Sequence, residues 1–209
     1  MKTHSILAVA LGLALTLPTD AHAQTASPFS QAVQATREKR YDEAVALFRN
    51  LAEASDHEAQ YNLAVLLKSG RGVPQDYLNA LIWAWQAQLG GINRAAGLAD
   101  ELFQLLPETT QQTARKKVAQ SLQSRLDAGD RDAIAEFAEF NLTLMAEPDY
   151  GAAYMWYSIG SALNINGAEQ ARDAAAASMT QEDIATLQAK TGTLFSEKGL
   201  AQRFKVPTK

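Results

Sequence analysis

The amino-acid sequence predicts an all-α fold, a right-handed α/α solenoid of stacked helix hairpins with about ten helices. Alanine occurs 39 times, whereas valine and isoleucine together occur 14 times, so a strong helix former far outnumbers the β-branched strand formers. Apolar residues recur at helical spacing, as at Ala44, Leu47, Phe48 and Leu51, which fall at i, i+3, i+4 and i+7. A long internal repeat is the third observation, and repeats of helix hairpins stack into solenoids.

The apolar spacing and the breaks between the periodic segments place the helices in chain order. The predicted ranges are 29–39, 42–54, 57–69, 76–89, 93–105, 109–127, 131–145, 150–164, 168–177 and 181–198. Prolines fall where this interpretation needs a connection or a helix start, at Pro28, Pro74, Pro107 and Pro148. Asp76 and Asp149 stand at the starts of two of these helices, where we expect their carboxylates to cap the free amides of the first turn.

The internal repeat relates two halves of the chain. A shift of 74 residues aligns Asp56 with Asp130, Ala64 with Ala138 and Pro74 with Pro148. After a one-residue deletion the shift becomes 73, and it aligns Asp76-Tyr77 with Asp149-Tyr150, Trp83 with Trp156, Ile92-Asn93 with Ile165-Asn166 and Asp100 with Asp173. Chance composition explains aligned alanines but not these landmarks in one order, so we infer two tandem modules of four helices each.

The chain therefore divides into five segments. They are a signal segment at 1–23, an N-terminal helix pair at 24–55, a first module at 56–128, a second and degenerate module at 130–202, and a basic tail at 203–209. Small residues such as Ala59, Ala64, Ala80 and Ala87 are expected to let helices approach closely, while Trp83 and Trp156 fill the space between layers.

The N-terminus has the pattern of a secretory signal. Lys2 is followed by an apolar run over 6–17 and by the small-x-small sequence Ala21-His22-Ala23. The run is shorter than the roughly 20 residues that span a bilayer, so we expect cleavage after Ala23 and a periplasmic or secreted protein without stable membrane insertion. An uncleaved anchor is the alternative interpretation.

Composition removes several classes of function. The chain has 23 acidic and 19 basic residues, and this mildly acidic balance without a basic cluster argues against nucleic-acid binding. It has no cysteine, and of its three histidines only His57 lies beyond the signal segment. A disulfide framework, a cysteine nucleophile and a multi-histidine metal site are disfavoured, so we expect no cofactor and no metal.

The first module carries a family resemblance. Its sequences Ala59-Gln60-Tyr61-Asn62-Leu63-Ala64, Gly70-x-Gly72-Val73-x2-Asp76-Tyr77 and Ala80-x2-Trp83 resemble a Sel-one-like repeat (SLR), a relative of the tetratricopeptide repeat. The second module departs from the pattern, because Leu144 and Ala146 stand where Gly70 and Gly72 stood. The resemblance implies an adaptor or scaffold that binds other proteins, with first helices lining the binding side and with no catalysis.

Two groups of titratable residues are candidates for chemistry. His57 lies between Asp56 and Glu58, and we interpret it as a solvated helix start because neighbouring positions point in different directions. Glu136 and Glu139 share one helical face, and we expect an exposed surface rather than a catalytic pair.

Aromatic residues are the better candidates for partner binding. Tyr61, Phe137 and Phe140 lie on the first helices of the two modules, and Trp85 points away from Trp83 on the same helix. Protein interfaces use aromatic anchors, so these four are the predicted partner-binding residues. Core packing is nevertheless the favoured interpretation for all four, and for Trp85 it would be packing on the following helix.

The leading hypothesis is an exported, non-enzymatic repeat protein that binds a protein or peptide partner in the cell envelope. An envelope-structural component that docks on a larger machine or on the cell wall is the alternative. A cell-wall-acting enzyme is the third hypothesis, although a hydrolase would need a positioned nucleophile and base or a pair of carboxylates.

Overall fold

A computed structural model describes residues 27–197 and 199–204 of the chain, and within them it contains helices and no strands. The helices are α1 (Pro28–Arg37), α2 (Tyr41–Glu53), α3 (His57–Ser69), α4 (Tyr77–Leu89), α5 (Asn93–Leu105), α6 (Glu108–Asp127), α7 (Asp132–Thr143), α8 (Tyr150–Ala162), α9 (Ala168–Ala176), α10 (Gln181–Glu197) and α11 (Leu200–Arg203). The predicted all-α stack of helix hairpins is confirmed. The predicted signal segment at 1–23 lies outside the described residues.

The two modules share one packing scheme. In the first module α4 packs against α3, α5 and α6, and in the second module α8 packs against α7, α9 and α10. The 73-residue shift carries the bounds of α4 onto those of α8, and the start of α6 onto the start of α10. The sequence repeat is therefore also a repeat of helix positions.

Asp76 and Asp149 cap α4 and α8 as predicted. An Asp76 carboxylate oxygen accepts the backbone amide of Asn79 at 3.0 Å, and that of Asp149 accepts the amide of Ala152 at 2.8 Å. Both aspartates also donate their own backbone amide to the preceding helix, Asp76 to Leu67 and Asp149 to Asn141. Each hairpin turn is thus fixed at both ends by the same residue type.

The turns after α3 and α7 differ for a reason visible in the structure. Gly70 ends α3 with φ of +65°, a left-handed conformation that favours glycine. Gly72, with φ of +78°, lies so close to the start of α2 that a Cβ would be 2.3 Å from the carbonyl oxygen of Tyr41. Leu144 ends α7 with φ of −111°, which an ordinary residue adopts, and its side chain is buried in the core. The loss of glycine there adds core packing.

Buried alanines line the helix contacts. The predicted small positions Ala59, Ala64, Ala80 and Ala87 are all completely buried. The largest apolar core runs from α1 to the end of α7, so the N-terminal helix pair and the first module share one core that reaches into the second module. Two smaller cores lie around the helices of the second module, and one of them also includes Leu126 of α6 and Phe204. This continuity explains how short helices form one stable stack.

The first two residues of the predicted basic tail, 203 and 204, pack with the helices. Phe204 is completely buried against the core that contains Leu126 and Ile134, and its carbonyl accepts a hydrogen bond from Arg131 at 3.1 Å. Residues 203 and 204 therefore belong to the fold and not to a basic tail, because an aromatic side chain gains more from burial than from solvent.

Candidate functional site

A groove lies between α3 and α5 of the first module. Each helix contributes residues at i, i+4 and i+7, which share one helical face. The two sets are Tyr61, Val65 and Lys68 on α3 and Arg94, Leu98 and Glu101 on α5. The groove has a volume of about 520 Å³, and we refer to it as the α3–α5 groove.

Charged pairs cross this groove at both ends. Arg94 forms an ion pair with Glu58, and Lys68 forms one with Glu101. The Arg94 guanidinium also stacks over the Tyr61 ring, 4.4 Å from its centroid, where the ring face attracts the cation. Tyr61 is half-buried, so one part of the ring is packed and the other part is accessible. The result is an apolar floor with polar groups of both charges at its rim.

The other predicted aromatic residues do not join Tyr61. Trp85 is 4% exposed and packs on Phe103 of the following helix, with ring centroids 5.9 Å apart. Phe140 is 2% exposed and stacks on Phe137, which is half-buried and also meets Trp156 edge-on at 5.6 Å. Because burial removes Trp85 and Phe140 from the surface, core packing accounts for both, and neither presents its ring to a partner. Tyr61 and Phe137 remain partly accessible.

His57 and Glu136 are not the exposed residues that the sequence predicted. Glu136 is 4% exposed, and Nε2 of His57 lies 3.4 Å from its carboxylate. Arg125 donates two hydrogen bonds to the same carboxylate, at 2.6 and 2.9 Å, and a third to Asp130 at 2.7 Å. A chain of charged groups thus joins α3, α6 and α7, which sequence spacing alone could not bring together.

The protonation of His57 follows from its neighbours. Gln60 is buried and donates its amide to the Ala52 carbonyl, so its oxygen is left to accept from Nδ1 of His57 at 3.0 Å. The hydrogen bond to Glu136 raises the pKa of His57 despite partial burial. Burial would raise the pKa of Glu136, but hydrogen bonds from His57 and Arg125 outweigh it and hold that pKa below its usual value.

This arrangement joins the helices through paired side chains. Both ring nitrogens of His57 have side-chain partners, and the Glu136 carboxylate is held by Arg125 and His57. Glu139, the other member of the predicted pair, accepts the Tyr157 hydroxyl at 2.9 Å. Burial and this carboxylate together raise the pKa of Tyr157.

No protein-family model matches this chain, and no curated protein matches it. A solved structure that matches is that of a protective antigen of uropathogenic Escherichia coli strains, described as displaying an SLR fold. The TM-score is 0.35 and the sequence identity is 17%, over 80% of this chain and 44% of that chain. This chain therefore spans less than half the length of that protein.

Within residues 27–197 and 199–204, no group of three or more histidines, aspartates or glutamates is arranged to hold a metal ion. Over the same ranges, no helix has both the length and the apolar character needed to cross a bilayer.

The sequence contained part of the signal for the α3–α5 groove. The spacing of Tyr61, Val65 and Lys68 marks one face of α3, and that of Arg94, Leu98 and Glu101 marks one face of α5. Only packing on the shared neighbour α4 makes these two faces meet, so Lys68, Arg94 and Glu101 were missed.

Proposed function

We propose that this chain is an exported, non-catalytic adaptor that binds a protein or peptide segment in the α3–α5 groove. The observation that supports the proposal is the position of Tyr61, a half-buried ring stacked under Arg94 between two ion pairs. Tyrosine and arginine are enriched among the residues that dominate the energy of protein interfaces. A groove with an apolar floor and a polar rim matches the composition of such interfaces.

The groove also fits one kind of ligand geometry better than others. It is open and follows two helices for two turns, from Arg94 and Tyr61 at one end to Lys68 and Glu101 at the other. An extended or helical segment can lie along it, with an apolar side chain on Val65 and Leu98. Charged side chains of that segment would then exchange with the two ion pairs at the rim.

Affinity capture with matched variants tests this function. The tagged protein is expressed in its native envelope, crosslinked, captured and analysed by mass spectrometry, in parallel with Tyr61→Ala and Arg94→Ala. Arg49→Ala, an exposed arginine on α2 outside the groove, is the control. Each partner found is then purified, and its Kd is measured with all four proteins.

We expect Tyr61→Ala and Arg94→Ala to weaken binding of the specific partner by about tenfold or more, with unchanged helical circular dichroism, and Arg49→Ala to leave it unchanged. Equal binding by folded groove variants would contradict the proposed site. Turnover of a purified cell-wall substrate by the pure protein, without any captured partner, would contradict the non-catalytic function.

Export has its own test. The proposal rests on the signal pattern of residues 1–23, with cleavage after Ala23. Intact-mass analysis of the protein recovered from the periplasmic fraction should show an N-terminus at Gln24. Recovery only from the cytoplasm with Met1 present would contradict it.

A further inference from the structure

A space between the helices of the second module has an equivalent in the first module, where side chains fill it. The 73-residue shift aligns four residues of the first module, Trp85, Asp100, Phe103 and Arg115, with residues at the same helical positions in the second. These equivalents are Ser158, Asp173, Ala176 and Gln188. The four positions lie between α4, α5 and α6 in the first module and between α8, α9 and α10 in the second.

In the first module, large side chains fill this space. The Trp85 and Phe103 rings pack on each other, and the Arg115 guanidinium lies 5.2 Å from the centroid of Phe103 and 6.0 Å from that of Trp85. The Nε atom of Arg115 also donates to the Leu144 carbonyl at 2.6 Å. The cavity that remains beside these residues has a volume of about 240 Å³.

In the second module, smaller side chains occupy three of the equivalent positions. Ser158, Ala176 and Gln188 are smaller than the residues that they replace, and the cavity there has a volume of about 560 Å³. We call it the second-module cavity. Apolar groups from Ile159, Ile184 and Phe195 line it.

The polar side chains that line the second-module cavity have partners within the protein. Gln188 donates to the Tyr154 hydroxyl at 3.2 Å, and Ser158 donates to the Tyr154 carbonyl at 2.7 Å. Arg172 brings a guanidinium to the cavity and pairs with Asp173 at 2.7 Å. A group bound in the cavity therefore meets mainly apolar surface. The Arg172 guanidinium lies near it, as the Arg115 guanidinium lies near the rings of the first module.

We infer that the second-module cavity receives an aromatic side chain, indole or phenyl, from a segment of another protein. The first module shows which chemistry fills a space of this shape in this fold, namely aromatic rings with a guanidinium beside them. The residues of the sequence outside the described ranges, 1–26, 198 and 205–209, include no Phe, Trp or Tyr. None of these residues can supply the ring.

An NMR titration tests the chemistry of the cavity. The mature protein, residues 24–209 labelled with ¹⁵N, is titrated with N-acetyl-tryptophanamide, N-acetyl-phenylalaninamide and N-acetyl-leucinamide. We expect the two aromatic amides to shift the resonances of Ser158, Ala176, Thr191 and Gly192, with the leucine amide binding at least about tenfold more weakly. Shifts elsewhere, no shifts, or equal binding of the leucine amide would overturn the inference.

Filling the cavity gives the matched variant. Ser158→Trp, Ala176→Phe and Gln188→Arg together restore the residues of the first module, and Ala174→Phe, at an exposed position of α9, is the control. We expect the filled protein to bind the aromatic amides at least about tenfold more weakly, and the control to bind them with unchanged affinity. If the triple variant does not fold, Ala176→Phe alone serves, and undiminished binding by a folded filled protein would overturn the inference.

A displayed peptide library then separates the sources of the ring. Enriched peptides that share an aromatic residue and lose binding to the filled variant support a partner protein. Enriched peptides without one, bound equally by the filled variant, would overturn it. Self-association that is lost in both the filled variant and Tyr150→Ala would assign the ring to Tyr150 of a second copy of this chain, because Tyr150 is 39% exposed. That result would overturn the assignment to a different protein.

Discussion

Nε2 of His57 lies 3.4 Å from Oε1 of Glu136, which links the first helix of the first module to the first helix of the second. The contact is 79 residues apart in the chain, and it is held by Gln60 on one side and Arg125 on the other. Because a buried carboxylate needs partners for its charge, this pair makes the junction between the modules depend on protonation.

The first prediction concerns pH. The pKa of His57 is raised above its ordinary value of 6.5. Its contribution to the free energy of unfolding is therefore complete below about pH 6.5 and is lost as the pH rises through the raised pKa. The pKa of Glu136 is lowered from 4.5, so its contribution is complete above about pH 4.5 and is lost as the pH falls through the lowered value. We expect His57→Gln to remove the decrease in the free energy of unfolding that deprotonation of His57 causes as the pH rises. Urea unfolding between pH 5 and 9 measures it.

The same titration has a direct spectroscopic test. Protein made as residues 24–209 contains one histidine, so its Cε1–H resonance reports the pKa of His57. We expect this pKa to fall in Glu136→Gln, because the neutral amide no longer favours the imidazolium. An unchanged pKa would contradict the link between the two side chains.

The second prediction distinguishes Glu136 from Glu139. Glu136→Ala leaves Arg125 beside the buried site without its main partner, and we expect a loss of about 3–5 kcal/mol in the free energy of unfolding. Glu139→Ala removes one hydrogen bond from Tyr157, and we expect a loss of about 1 kcal/mol. Denaturant unfolding of both variants at pH 6 measures the difference, and equal losses would contradict the unequal burial on which it rests.

The third prediction concerns Gly90, where α4 ends. Its φ of −78° is ordinary, but a Cβ there would lie 2.1 Å from the His57 ring. We therefore expect Gly90→Ala to lower the free energy of unfolding by about 1–3 kcal/mol through overpacking. Gly97→Ala is the matched control, because a Cβ in the middle of α5 meets nothing within 4 Å.

Gly97→Ala should stabilise the protein by roughly 0.5–1 kcal/mol, since alanine is the better helix former. Thermal melting followed by circular dichroism compares the two variants, and shifts of the same sign would contradict the close approach of Gly90 to His57.

The fourth prediction concerns Arg115, which stacks on Phe103 and binds the Leu144 carbonyl. Arg115→Ala removes both contacts, and we expect a loss of about 2 kcal/mol. Arg115→Lys should recover less than half of this lost free energy of unfolding, because an ammonium group lacks the planar face that a guanidinium stacks on the rings. Lys116→Ala, at the exposed neighbouring position, should change stability by less than about 0.5 kcal/mol in the same unfolding assay.

Local sequence signals predicted the helices well. Alanine content, apolar spacing and prolines placed ten helices whose bounds in the structure differ by about two residues at most. The missed element is α11, a single turn that no periodic pattern could mark. It forms because Leu200 and Phe204 are buried against the second module.

The candidate site was only partly predictable. Tyr61 could be found because its helix and its face follow from spacing, whereas its partner Arg94 lies 33 residues further along the chain. Trp85 and Phe140 look equally available in the sequence, because an aromatic ring in the core and one at a surface follow the same spacing.

By itself, the sequence determined the helical fold, the two-module repeat and the capping of α4 and α8, because these depend on residues within one or two turns of each other or on a direct alignment. Tertiary structure alone decided that His57, Arg125 and Glu136 form one buried group, and that α3 and α5 enclose a groove. It also decided that equivalent positions are filled in one module and open in the other. These properties depend on which helix faces meet, and packing of whole helices on α4 and α8 sets that.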